Sequence, residues 1–108
     1  MSSDAIGTLE HLVLLVIARQ GPDSYGVTII EELRRHARKP VLRPSVYLAL
    51  KRLESRGLIR SRLGAAEARR GGRATRHFTI TPAGLRILRE SQRMLTALWR
   101  VVPLTRRS

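Results

Sequence analysis

Among the 108 residues, one stretch restricts the possible folds more than any other: Arg43 to Arg76, RPSVYLALKRLESRGLIRSRLGAAEARRGGRATR. It opens with Pro44-Ser45, a turn or helix-start signal. Val46, Leu50 and Leu53 then recur at i, i+4 and i+7, which places them on one helical face. Tyr47, Leu48, Lys51, Arg52 and Ser55 project mainly from the other faces. Gly57 suits a helix C-cap because glycine takes a positive φ without strain. From Leu58 to Leu63 apolar and basic residues alternate, as in a short half-solvated strand. A loop of small residues with Gly71-Gly72 follows, and Arg76-His77-Phe78-Thr79-Ile80 returns as a second strand.

The flanks supply helices. Leu9, Leu12, Val13, Val16 and Ile17 form a first apolar stripe behind a capping Thr8, and Gly21-Pro22 ends it. Leu14 and Leu15 lie partly off that stripe, so this helix is apolar nearly all round and has a second face to bury. Ser24 is the expected cap of a second helix, roughly Tyr25 to Arg38, with Ile30, Leu33 and Ala37 inward and Gly26 allowing a close crossing. Glu31 and Glu32 are spaced to pair with Arg35 on its solvent face. Thr81-Pro82 starts the last helix. Along it Leu85, Leu88, Gln92, Leu95, Trp99 and Val102 keep 3-4 spacing up to the stop at Pro103. A second seam, Ile87, Met94, Leu98 and Val101, lies beside the first. The expected architecture is mainly α with a small β-hairpin wing (α+β): a winged helix-turn-helix over residues 6–81 and a C-terminal dimerisation helix over 82–102, within one compact unit.

Charge is segregated along this plan. Residues 1–33 hold one base against five acids, residues 34–76 fourteen against two, and residues 77–108 six against one, for a net +13. The basic block coincides with the helix–strand–loop–strand unit, as on a surface that meets a polyanion. No cysteine is present, which excludes disulfides and thiolate metal sites. No apolar run approaches the roughly 18 residues of a membrane span, and the start lacks the pattern of a signal peptide. The cytoplasm is therefore the expected compartment.

These features point to duplex DNA. A helix over Pro44–Arg56 would lie in the major groove, Ser45 and Tyr47 offering hydroxyls to phosphates, Lys51 and Arg52 reaching phosphates or guanine edges, and Leu48 meeting a thymine methyl. In the loop, Arg69, Arg70 and Arg73, with Arg76 just beyond, would follow phosphates or enter a narrow minor groove. The glycines let that backbone approach closely. They do not form a nucleotide-phosphate loop, since no Lys-Ser/Thr follows and no helix starts after them. Catalysis finds no support. His11, His36 and His77 sit on three elements without metal-ligand spacing, and no Ser/His/Asp order or paired carboxylates stand out. No metal and no cofactor is expected. Trp99, on one seam with Leu88 and Leu95, is a packing residue that could also stack a flat apolar ligand near a two-fold axis.

The chain also resembles the PadR-like transcriptional regulators over nearly its whole length. The matching pieces are Gly7-Thr8-Leu9-Glu10, Leu12-Val13-Leu14-Leu15, Gly21-Pro22-Asp23-Ser24-Tyr25-Gly26 and Ile29-Ile30, then Ser45-Val46-Tyr47, Leu50-Lys51-Arg52-Leu53-Glu54, Gly57-Leu58-Ile59 and Arg76 to Gly84. Leu48 stands where the family usually has proline, and His77 and Phe78 where it often has tyrosines; both departures bear on base preference rather than fold. The resemblance implies a dimeric winged helix, usually a repressor, whose first and last helices form the interface. The single C-terminal helix is similar to the smaller subfamily. Some members release DNA on binding aromatic or multidrug-like effectors between the subunits.

The expected function is that of a homodimeric repressor on a pseudo-palindromic operator, responsive to a planar aromatic or hydrophobic effector. Two rivals differ in testable ways. A non-specific architectural DNA- or RNA-binding protein would not separate operator from random duplex. A winged-helix protein-interaction module would bind acidic protein surfaces and be indifferent to loss of Lys51 and the loop arginines.

Overall fold

The computed structural model describes residues 6–38, 40–64 and 75–103. Within them the chain runs α1 (Thr8–Gln20), a 3-10 turn (Gly21–Asp23), β1 (Ser24–Tyr25), α2 (Gly26–His36), α3 (Arg43–Ser55), β2 (Ile59–Leu63), β3 (Arg76–Ile80) and α4 (Pro82–Arg100). The sheet is antiparallel in the order β1-β3-β2. Ser24 pairs with Phe78 and Tyr25 with His77 on one side of β3; Ile59 to Leu63 pair with Ile80 to Arg76 on the other. The helix and the two antiparallel strands expected from Arg43–Arg76 are thus present in that order, with β1 as a third strand that the sequence did not announce.

Helix α1 is the hub, packed on α2, α3, α4 and β3. Val13, Leu14 and Ile17 are fully buried, while Leu9 and Leu12 are only partly so. The buried arc is therefore centred closer to Leu14 than the 3-4 stripe implies. A helix apolar all round carries little directional signal of its own, and its neighbours decide which arc faces inward. Leu15 is left half exposed. The cap is Gly7, with Thr8 as the first helical residue.

Helix α1 thus starts one residue earlier than expected, and helix α2 one residue later. Tyr25 is its N-cap residue, and the Tyr25 N–H donates to Thr28 Oγ1 at 3.0 Å. Ser24, the expected cap, instead lies buried in β1, where its hydroxyl donates to Gln20 Oε1 at 2.9 Å. Gln20 Nε2 donates to the Thr28 carbonyl at 3.0 Å and to Glu32 Oε1 at 2.9 Å. The other Glu32 oxygen pairs with Arg19 Nε at 2.6 Å. Glu32 thus turns back to α1 instead of joining Arg35, because a partly buried amide and a guanidinium are both within its reach. Ile29, Ile30 and Leu33 are buried, but Ala37, just past the end of α2 at His36, is exposed at the rim of a shallow groove that it lines with Leu12, Leu15 and Val16 of α1.

The exit from α3 is a Schellman turn. Gly57, at φ +75°, donates its N–H to Glu54 O at 2.9 Å, and Leu58 N–H reaches Leu53 O at 3.0 Å. Leu53 and Leu58, the apolar pair that accompanies this motif, are both buried. The turn delivers the chain into β2 and also seats α4. Thr81 Oγ1 donates to Gly57 O at 2.7 Å and accepts from Gly84 N at 3.1 Å, while Thr81 N–H donates to Leu58 O at 3.1 Å. Gly84 is where α4 passes closest: a Cβ there would run into Leu58 O and the Ile80 side chain. Gly84→Ala should therefore destabilise by about 1–3 kcal/mol, net of alanine's better helix propensity. Thermal unfolding checks this; an unchanged or raised Tm would mean that the crossing relaxes freely.

Candidate nucleic-acid interface

Thirteen residues of α3 divide cleanly between core and solvent. Val46, Ala49, Leu50 and Leu53 are buried, as the i, i+4, i+7 pattern requires. At 100° per residue the middle of the opposite face carries Leu48, Lys51 and Ser55, with Arg52 and Tyr47 on its two flanks. Ser45, Tyr47, Leu48, Lys51 and Arg52, all expected to contact DNA, are exposed. Ser55 belongs to the same surface; its position four residues after Lys51 and seven after Leu48 was the available signal. A shallow cleft of about 410 Å³ runs along this face, lined by Glu10, Leu48, Lys51, Arg52, Ser55 and Arg56.

Both flanks are held by neighbouring helices. On one side Arg52 Nη1 meets Glu10 Oε2 of α1 at 3.5 Å. On the other, the Tyr47 ring lies over the start of α2, where a Cβ on Gly26 would collide with its hydroxyl. Gly26 thus provides the close approach expected of it, to a ring of α3. The cost is that the Tyr47 hydroxyl sits over the α2 backbone, at the edge of the outer face.

The hairpin continues the basic surface. Arg60 and Arg62 of β2 are exposed. Arg62 Nη2 donates to the Pro22 carbonyl at 3.4 Å, which ties β2 to the turn before β1. Arg76 Nη1 donates to Ser61 Oγ at 2.9 Å, and Ser61 donates in turn to Glu54 Oε2 at 2.7 Å. This relay links the root of the wing to the last turn of α3. Leu63, expected on the apolar side of the strand, is exposed because the hairpin has by then left the body of the domain. Arg69, Arg70 and Arg73 lie outside the described residues.

The three histidines remain apart: His36 exposed at the end of α2, His11 beside the α1–α4 groove, His77 in the sheet with its ring centroid 5.5 Å from that of Tyr25. Leu88, Leu95 and Trp99 do meet, lining one groove of about 480 Å³ between α1 and α4 with His11, Leu15 and Gln92. Leu88 closes its buried end, whereas Leu95 and Trp99 are more than half exposed. Among the described residues no helix is long and apolar enough to cross a membrane.

Comparison with known proteins agrees with this geometry. The model of the transcriptional regulator PadR-like family matches residues 13–90. Among solved structures, the chain is similar to a PadR family transcription regulator from Clostridium difficile R20291, at 25% identity and TM-score 0.76, with 88% of this chain and 94% of that chain covered. It is similar to a PadR-like transcriptional regulator from Bacillus cereus ATCC 14579, at 27% identity and TM-score 0.72, with 94% and 95% covered. A PadR family regulator from Eggerthella lenta DSM 2243 shares 29% identity at TM-score 0.66, with 82% and 75% covered. No curated protein matches the chain. The family and these neighbours are transcription regulators, not enzymes. The matched span begins inside α1 and ends midway along α4, so it takes in the whole helix–wing unit, and the chain belongs to the PadR-like family of transcriptional regulators.

Proposed function

We propose that the protein is a homodimeric, sequence-specific repressor that binds a pseudo-palindromic operator in the cytoplasm and is released by a planar aromatic or hydrophobic effector. The observation that carries this reading is the pairing of two unpartnered surfaces on one small domain. The outer side of α3 is polar and basic, with Ser45, Lys51 and Arg52 around Leu48, while the outer half of α4 exposes Met94, Leu95, Leu98 and Trp99. The first surface suits a groove in duplex DNA; the second suits a second copy related by a two-fold axis. A dimer would set two copies of α3 against two half-sites about one helical turn apart.

Selection of bound sequences from random duplex tests it. The selected site should be a pseudo-palindrome bound about 10³-fold or more above random DNA. A flat profile would favour the architectural rival, and no duplex binding at all the protein-interaction module. For the effector, Trp99 is the only tryptophan, so its fluorescence reports the groove directly. Planar hydrophobic amines or phenolic acids should quench it saturably and release operator DNA, and Trp99→Ala should lose that response while still binding DNA. If no such compound quenches Trp99 or displaces DNA, regulation enters elsewhere.

A further inference from the structure

Among the described residues, Glu10 is the one acid lining the cleft on the outer face of α3, beside Leu48, Lys51, Arg52, Ser55 and Arg56. We propose that Glu10 is a positioning residue for base recognition: it holds the Arg52 guanidinium at the flank of α3 so that its remaining donors face a guanine. The inference rests on the reading of α3 as the recognition helix.

A carboxylate on a surface meant for a polyanion weakens binding by simple repulsion, so its presence there calls for an offsetting role. Fold stability is a poor candidate, because the Arg52 side of the pair is largely solvated and a 3.5 Å contact of this kind contributes little. The geometry of the pair is better suited to orientation. The Glu10 side chain is 15% exposed and the Arg52 side chain 61%. The carboxylate is thus the anchored partner, packed in the first turn of α1, where the helix dipole also favours an acid. Arg52 is the mobile one, and the contact restricts a long side chain that would otherwise sample many rotamers.

The contact is also economical. Among the described residues Arg52 is engaged through Nη1 alone, at 3.5 Å, and a guanidinium has five donors in a rigid fork. The edge turned away from Glu10 can still give the two parallel hydrogen bonds that guanine O6 and N7 accept in the major groove. A free Arg52 would find phosphates as readily as bases; an Arg52 pinned on its α1 side is biased towards the groove floor.

The test uses the full-length protein and its selected operator. Affinities for that operator, for every single-base variant of one half-site and for random duplex are measured for the wild type, Glu10→Gln, Glu10→Asp, Arg52→Ala and the double variant Glu10→Gln/Arg52→Ala. Glu10→Gln removes a repulsive charge and should bind random duplex about two- to fivefold more tightly. Its preference for guanine at one position of each half-site should nevertheless fall about tenfold. Glu10→Asp keeps the charge but shortens the reach, so it should lose the same preference without the gain on random DNA. With Arg52 already alanine, Glu10→Gln should leave base preference unchanged. The proposal is overturned if Glu10→Gln keeps the wild-type preference, or if it shifts preference equally without Arg52. Should the wild type itself show no operator preference, the recognition-helix reading fails first and this inference with it.

Discussion

Replacing Leu95 and Leu98 together by arginine should leave a folded monomer whose operator affinity is lower by about 10²–10⁴-fold, the factor that linking two binding modules typically supplies. The expectation follows from how α4 is divided. Its first half belongs to the core: Gly84 abuts the Leu58 carbonyl and Leu88 is buried. From Gln92 to Val102 every residue is exposed. Helix α4 ends at Arg100, two residues short of the expected Val102; on a helical projection Met94, Leu95, Leu98 and Trp99 occupy an arc of about 140°, and Arg86, Arg89, Arg93 and Arg100 a separate arc of about 60°. An apolar arc of this width on one exposed half-helix is costly to leave in water. Arginine is the informative replacement because added positive charge would by itself strengthen DNA binding; a loss must therefore come from assembly. The same division shows why a deletion from Leu85 onward would be a poor test, as it would remove Leu88 from the core, whereas ending the chain after Ser91 spares it. Sedimentation and operator titration together decide the matter. Wild-type protein that sediments as a stable monomer and binds the operator tightly would refute the dimer.

What was legible in the sequence, and what was not, follows from the range of the interactions. The 3-4 pattern of Val46, Leu50 and Leu53, the Gly57 turn and the Thr81-Pro82 start are local devices, and each stands where its residues imply. Two-residue β1 was invisible, because Ser24-Tyr25 carries no periodicity and becomes a strand only by pairing with Phe78 and His77 more than fifty residues on. Glu32 pairs with Arg19 in preference to the helical neighbour Arg35, since Gln20 and Arg19 are brought alongside by the α1–α2 turn. Among the residues proposed to face DNA, side-chain exposure along α3 could be read from the heptad, but the anchors of its flanks could not. Glu10 is 42 positions from Arg52, and Gly26 is 21 from Tyr47; only the packing of α1 and α2 on α3 brings them together. For α1 the difficulty was different in kind: a surplus of apolar residues erased the directional signal that a polar face would have supplied.

Raising the salt concentration from 50 to 200 mM should cost about 10³–10⁵ in operator affinity. The net charge of +13 is concentrated between Arg34 and Arg76, so the charged surface and the proposed DNA surface are largely the same. Not every base there is equally free: Arg52 is paired with Glu10, and Arg76 and Arg62 already donate to Ser61 and to Pro22 O. If three to five bases per subunit displace counterions, a dimer neutralises about six to ten phosphates, and log K against log[salt] should slope at about −5 to −9. Arg70→Ala or Arg73→Ala should each remove one such contact per subunit, make the slope shallower by about 2, and weaken all sequences about equally. Lys51→Ala and Leu48→Ala should instead change which sequences are preferred, because they stand on the middle of the outer face of α3, where base edges would lie. A slope near zero would sink the nucleic-acid reading altogether. If the loop and helix substitutions behave alike, the proposed division between a wing that follows phosphates and a helix that reads bases is wrong, even though the dimer and its polyanion affinity would stand.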